Sequence, residues 1–85
     1  MLPLTKLHSQ NGAEAQIGAG TLTGKYFAIM KGSGAVITSA LDQNGVALDS
    51  DVITFINTDY PEGVYYYQPL SEIVVSTGNL LALND

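Results

Sequence analysis

Turn signals recur about every ten residues along most of this chain, and that spacing leaves room for little except short strands. Gly32-Ser33-Gly34, Asn44-Gly45, the polar loop Asp49-Ser50-Asp51, Pro61-Glu62-Gly63 and Thr77-Gly78 punctuate the sequence. Glycine supplies the dihedrals that turns and bulges require, and Asn-Gly tolerates positive φ at both central positions of a hairpin turn. Pro61 and Gly63 fit the second and fourth positions of a type I turn begun by Tyr60. The runs between these signals are rich in β-branched and aromatic residues, as strands are. Strands are predicted over 25–30, 35–41, 52–57, 64–68, 73–76 and 80–83, with a brief return over 46–48. In the first, Phe27 and Ile29 share one face while Tyr26, Ala28 and Met30 share the other. No stretch shows a 3.6-residue period, and a single helical turn near 69–72 is the most that fits. The predicted class is all-β: a small β-sandwich or jelly-roll-like barrel of short antiparallel strands. A hairpin through Thr77-Gly78 joins the last two.

The first twenty positions differ from the rest. Leu2, Leu4 and Leu7 alternate loosely, and polar and small residues follow from His8 to Gly20. The expected division is an extended N-terminal arm over 1–20, with room for one short strand, and a β domain over 21–85. Two readings of the arm stand: a frayed terminus, or a segment that docks on a neighbouring subunit through its leucines.

Several predicted strands are apolar on both faces. Over 52–57, Val52 and Ile56 lie on one side and Ile53 and Phe55 on the other; 80–83 reads Leu-Leu-Ala-Leu. An antiparallel sheet with one solvated face alternates apolar and polar residues, so the second face needs a cover. Composition points the same way. Hydrophobic residues make up 46% of the chain and charged residues only 13%, against about 25% charged in ordinary soluble domains. A chain of 85 residues without cysteine has no disulfide to hold it, and small domains often compensate by oligomerising. A homo-oligomer is expected.

The same inventory removes functions. Three lysines, no arginine and eight acids leave a net charge of −5. Phosphate neutralisation supplies most nucleic-acid affinity, so no nucleic-acid partner is expected. The apolar runs fall far short of the ~20 residues of a spanning helix, and residues 1–6 do not read as a signal peptide. A cytoplasmic origin and no membrane partner are expected. His8 is the only histidine, and without cysteine or arginine most nucleophilic, zinc and phosphoryl-transfer mechanisms lack parts. Asp42, Asp49, Asp51 and Asp59 fall in predicted loops, but the spacing of a calcium loop is missing, and turn aspartates commonly cap their own backbone. Gly18-Ala19-Gly20 with Gly24-Lys25 has the wrong spacing for a phosphate loop. No catalytic residue, metal or cofactor is expected. One cluster remains: Tyr60, Tyr65, Tyr66 and Tyr67. Alternation sends Tyr65 and Tyr67 to one face and Tyr66 to the other. Tyrosine suits protein interfaces and sugar platforms alike; ordinary strand packing is the plainer reading. Leu2, Leu4, Leu7, Tyr60, Tyr65, Tyr66 and Tyr67 are therefore the candidate contact residues.

Taken in order, Tyr26-Phe27-Ala28-Ile29, the stretch 35–41, Tyr60-Pro61-Glu62-Gly63 with Val64-Tyr65, and the ending 73–83 resemble small β-rich virion structural proteins of tailed bacteriophages. The likeness is a pattern of apolar residues and turn glycines over about residues 21–83. It is only approximate around Gly45–Leu48, and the arm matches nothing in it. The resemblance implies a capsid cement or decoration protein, assembled as a homotrimer and bound to the major capsid protein or another virion protein. The alternatives are a tail or connector component, or a carbohydrate- or receptor-binding module. It carries over no catalytic residue and implies location in the virion, assembled in the host cytoplasm.

Overall fold

The computed structural model describes residues 12–85. Among these, five strands form one antiparallel sheet: β1 (Ala13–Ile17), β2 (Gly20–Lys31), β3 (Val36–Asp42), β4 (Tyr65–Thr77) and β5 (Asn79–Asn84). One helix, α1 (Ser50–Thr58), lies between β3 and β4. The spatial order is β1-β5-β2-β4-β3. The all-β class read from the sequence is the one found. Its strands lie in a single coiled sheet, and α1 covers part of the inner face where a second layer would sit.

The coil follows from the pairing. Gly20 pairs with Val75, and Lys31, at the other end of β2, pairs with Leu80. A straight β2 would span about 36 Å, while those partners lie no more than about 17 Å apart along the chain. The sheet must curl until both ends of β2 meet one stretch of β4 and β5. Gly78, at φ 77°, joins those two strands as a bend. The expected hairpin through Thr77-Gly78 is absent because β2 lies between β4 and β5. A β-carbon on Gly78 would lie 2.3 Å from the carbonyl carbon of Gly34 and 2.4 Å from the nitrogen of Ala35.

The inner face carries the core: Leu22, Tyr26, Ile29, Ile37, Ala40, Leu70, Ile73, Val75, Leu80 and Ala82, joined by Ile53 and Ile56 of α1. The stretch predicted as a strand over 52–57 is this helix. Its β-branched residues fit either structure, but Val52, Ile53 and Ile56 also form a stripe at helical spacing, and that stripe packs on the core. Asp51 lies in the first turn, where a negative charge suits the helix dipole. The helical turn expected near 69–72 is continuous strand, and the strands expected over 64–68 and 73–76 are both parts of β4. Residues 13–17, assigned from sequence to the arm, are β1 of the sheet.

A bulge between Tyr26 and Ala28, where β2 has one residue more than β5, resets the alternation in β2. Tyr26 turns inward beside Ile29, and Phe27 leaves the face expected for it. At the β3 edge, the Asn57 side chain accepts from Ile37 N–H and donates to Ile37 C=O, both at 2.8 Å. Leu48 N–H donates to Ala40 C=O at 2.9 Å and Asp42 N–H to Val46 C=O at 2.8 Å. Lys31 is the buried charged side chain among the described residues, and its ammonium donates to Asn57 C=O at 3.4 Å, where a helix C-terminus favours a cation.

Two outcomes test this scheme. Gly18 also has positive φ, but a β-carbon there meets no atom within 4 Å. Gly18→Ala should cost about 1 kcal/mol from dihedral strain alone, and Gly78→Ala roughly 3 kcal/mol or more once the collision is added. Urea unfolding of both variants measures the difference; equal losses would show that the Gly78–Gly34 approach is not a constraint. Asn57→Leu should cost about 1–3 kcal/mol, because it strands both backbone groups of Ile37.

Candidate functional site

Directly opposed residues on antiparallel neighbours project to the same side of a sheet, so the register identifies what the outer face carries. Ala13 pairs with Leu83, Leu83 with Ala28, and Ala28 with Tyr67. The next row reads Ala15, Leu81, Met30, Tyr65. Both rows cross β1, β5, β2 and β4 without a charged or hydrogen-bonding side chain other than the tyrosine hydroxyls. Ile17 continues the set at the end of β1 and is 72% exposed. Ala28 and Leu83 are buried although they lie outside the main core cluster.

Aromatic rings bound this surface on the β4 side. Phe27 stacks on Tyr67 with centroids 6.5 Å apart and planes at 26°. Tyr65 sits 6.2 Å from Tyr67 at 46°. Tyr67 remains 56% exposed, so one large ring stands in solvent over a second one. The tyrosines named from sequence divide as alternation requires. Tyr65 and Tyr67 lie outside. Tyr66 packs against the core on the other side, its hydroxyl donating to Gln68 Oε1 at 2.8 Å. Tyr60 joins Tyr66, edge to face at 5.2 Å, and Phe55 at 6.1 Å, and its hydroxyl donates to Tyr65 C=O. Tyr60 and Tyr66 thus tie α1 and its following loop to β4 and belong to packing rather than to the outer surface. Leu2, Leu4, Leu7 and His8 lie outside the described residues. Sequence reading missed Phe27, Met30, Leu81 and Ile17 as surface residues. The bulge hid the first, and the last lay in the stretch taken for an arm.

Groups able to do acid–base work are dispersed. Among the described residues no three His, Cys, Asp or Glu side chains converge on a metal-sized site. Asp42 Oδ1 accepts from the N–H groups of Asn44 at 2.8 Å and Val46 at 2.9 Å, a turn-capping role. A shallow depression of about 390 Å³ is lined by Asp42, Gln43, Asn44, Gln68 and Pro69; that capping carboxylate is its one ionisable group. Glu14 accepts a hydrogen bond from the buried Tyr26 hydroxyl. Burial first, and then the adjoining carboxylate, push the Tyr26 hydroxyl well above the ordinary tyrosine range.

Comparison with protein-family models, curated proteins and solved structures found no match.

The Tyr26 shift has a pH consequence with a definite sign. The folded state holds this proton more tightly than the unfolded chain does. Its contribution is complete below the unfolded tyrosine pKa of about 10 and declines as pH rises beyond it. Stability should therefore fall above about pH 10, and Tyr26→Phe should flatten that fall relative to wild type in urea titrations. An unchanged slope would show that Tyr26 is not the responsible group.

Proposed function

We propose that this chain is a non-enzymatic structural protein of a tailed-phage virion, a cement or decoration protein that associates with itself and with a protein shell. One observation carries the reading: two apolar rows run across four strands on the outer face, where an isolated antiparallel sheet would be polar. Covering such a surface with another protein stabilises both partners through burial of apolar area, at about 25 cal/mol per Å² before association costs. Repeated weak contacts on a symmetric lattice then add by avidity. The low share of charged residues supports the same reading, and the resemblance of residues 21–83 to small virion proteins supplies the setting. The partner would be the major capsid protein or another shell component, and the location the virion.

A second reading, a glycan- or receptor-binding module, is favoured by the exposed Tyr67 ring stacked over Phe27, which offers an aromatic plane to a sugar. Tyr67→Ala separates the two. The ring is exposed, so its loss should leave thermal stability within about 1 kcal/mol of wild type. It should reduce retention on the shell if the first reading holds, and glycan retention if the second does.

Quantitative mass spectrometry of gradient-purified particles, from the phage whose genome carries this sequence, is the direct test. The expected result is a copy number in fixed proportion to the major capsid protein. A few copies per particle would place the chain in a tail or connector. Absence from particles would overturn the virion reading altogether.

A further inference from the structure

The two edges of the sheet are treated differently. The β3 edge has its outward backbone groups engaged by Asn57, Leu48 and Val46. The β1 edge is the opposite case. Asn84 N–H donates to Gly12 C=O and Gly18 N–H to Gly78 C=O, in the register that pairs Ala13 with Leu83 and Ile17 with Asn79. Hydrogen-bonded and non-bonded pairs alternate in an antiparallel ladder. The backbone groups of Glu14 and Gln16 therefore turn toward β5, and those of Ala13, Ala15 and Ile17 point off the sheet. No described strand lies beyond them. Proteins protect such edges with lysine, proline, a bulge or an inward-pointing charge; Ala13–Ile17 has no lysine, proline or bulge, and its inward-pointing acid, Glu14, is engaged by the Tyr26 hydroxyl.

We infer that β1 pairs with β1 of a second copy, antiparallel, about a two-fold axis through Ala15. The inference rests on the self-association part of the proposed function. Its basis is that this strand is complementary to itself in one register. With Ala15 opposite Ala15 of the partner copy, Ala13 faces Ile17 on the outer side, small against large, and Glu14 faces Gln16 on the inner side. All three outward-pointing residues then form hydrogen-bonded pairs, giving about six bonds between the chains, two per pair. A shift centred on Glu14 sets two carboxylates directly opposite each other, which is unfavourable, and shortens the ladder. A shift centred on Gln16 shortens it equally and leaves Ala13 unpaired. The pairing also joins the outer apolar rows of the two copies into one surface. A two-fold contact uses the same patch on both copies, so a dimer takes the place of the trimer that the resemblance implies.

The chain has no cysteine, so single cysteines report the register in the full-length protein. Ala15→Cys places two thiols across the axis, with Cα atoms about 5.5 Å apart, within disulfide reach. In Ile17→Cys the two thiols lie about 13 Å apart. Under mild oxidation with copper–phenanthroline, A15C should form a covalent dimer and I17C should not. Ile17→Lys, at a position exposed in the single chain, should keep the wild-type circular dichroism and raise the dimer dissociation constant at least tenfold by sedimentation. Amide exchange at Ala13, Ala15 and Ile17 should slow with protein concentration. Four results would overturn the pairing: a wild-type trimer; a wild-type monomer at all concentrations; equal cross-linking of A15C and I17C; or a monomer whose Ala15 amide already exchanges slowly, which would mean that the chain's own residues cover the edge. If particles contain the protein while A15C fails to cross-link, the pairing falls and the virion reading stands.

Discussion

Backbone meets backbone at Gly78, and the curl of the sheet depends on that contact. The 13–31 and 65–84 stretches run antiparallel to each other through two consecutive ladders, β1 with β5 and β2 with β4. β2 then turns its other side to β5. Such a path needs a sharp bend where β4 becomes β5, and it brings Gly34 against that bend closer than a methyl group would permit. Once the bend is made, Ile29, Leu80, Val75 and Ile37 converge on one inner face. The helix follows as the cover for that face near β3. A residue without a side chain thus decides how the larger side chains meet.

Edges set the next constraint. A curled sheet that does not close leaves two, and each unpaired backbone group buried without a partner costs about 1–3 kcal/mol. β3 resolves this locally, through one asparagine on α1 and the loop after Asp42. That solution also fixes the helix, because Asn57 holds α1 to the strand by two hydrogen bonds while Ile53 and Ile56 fill the space beneath. β1 has no such cap among the described residues: the outward backbone groups of Ala13, Ala15 and Ile17 face no described strand. The asymmetry is one of placement: Asn57 reaches the β3 backbone, while the polar side chains of β1 are engaged elsewhere, Glu14 by the Tyr26 hydroxyl and Gln16 by the carbonyls of Gly18 and Ala19.

What could be read from the sequence was whatever depends on short-range pattern. The all-β class, the Asn44-Gly45 turn and the opposite directions of Tyr65/Tyr67 and Tyr66 follow from turn chemistry and from the period of two. The misses have physical causes. Val52–Ile56 has strand composition, and only its contact with a three-dimensional core selects the helical stripe over the alternating one. The Tyr26–Ala28 bulge adds one residue to β2 relative to β5 and reverses the faces, which propensity does not register. Gly78 looks like a hairpin turn because positive φ serves a hairpin and a bend equally well. The outer surface was legible in outline, as strands apolar on both sides. Its membership was not, since it is assembled from four strands whose order is not sequential.

The placement of charge bears on why such a surface persists in a protein with a net charge of −5. Like-charged copies repel over about a Debye length, some 8 Å at physiological ionic strength, so contact is least opposed where charges are absent. Asp49, Asp51, Asp59 and Glu62 sit in turns or at the ends of α1, Asp42 ends β3, and Asp85 follows β5. Glu14, the one acid in β1, faces inward and is engaged by Tyr26. Glu72 does reach the outer face, but beside Thr23 and Leu41, outside the apolar rows. The acidic balance therefore sets repulsion on the rest of the molecule, while the outer rows, in which Ala28 and Leu83 are buried and Tyr67 is exposed, carry no charge. Charge placed in this way leaves the outer rows and the β1 edge beside them as the parts of the surface where the proposed association is least opposed.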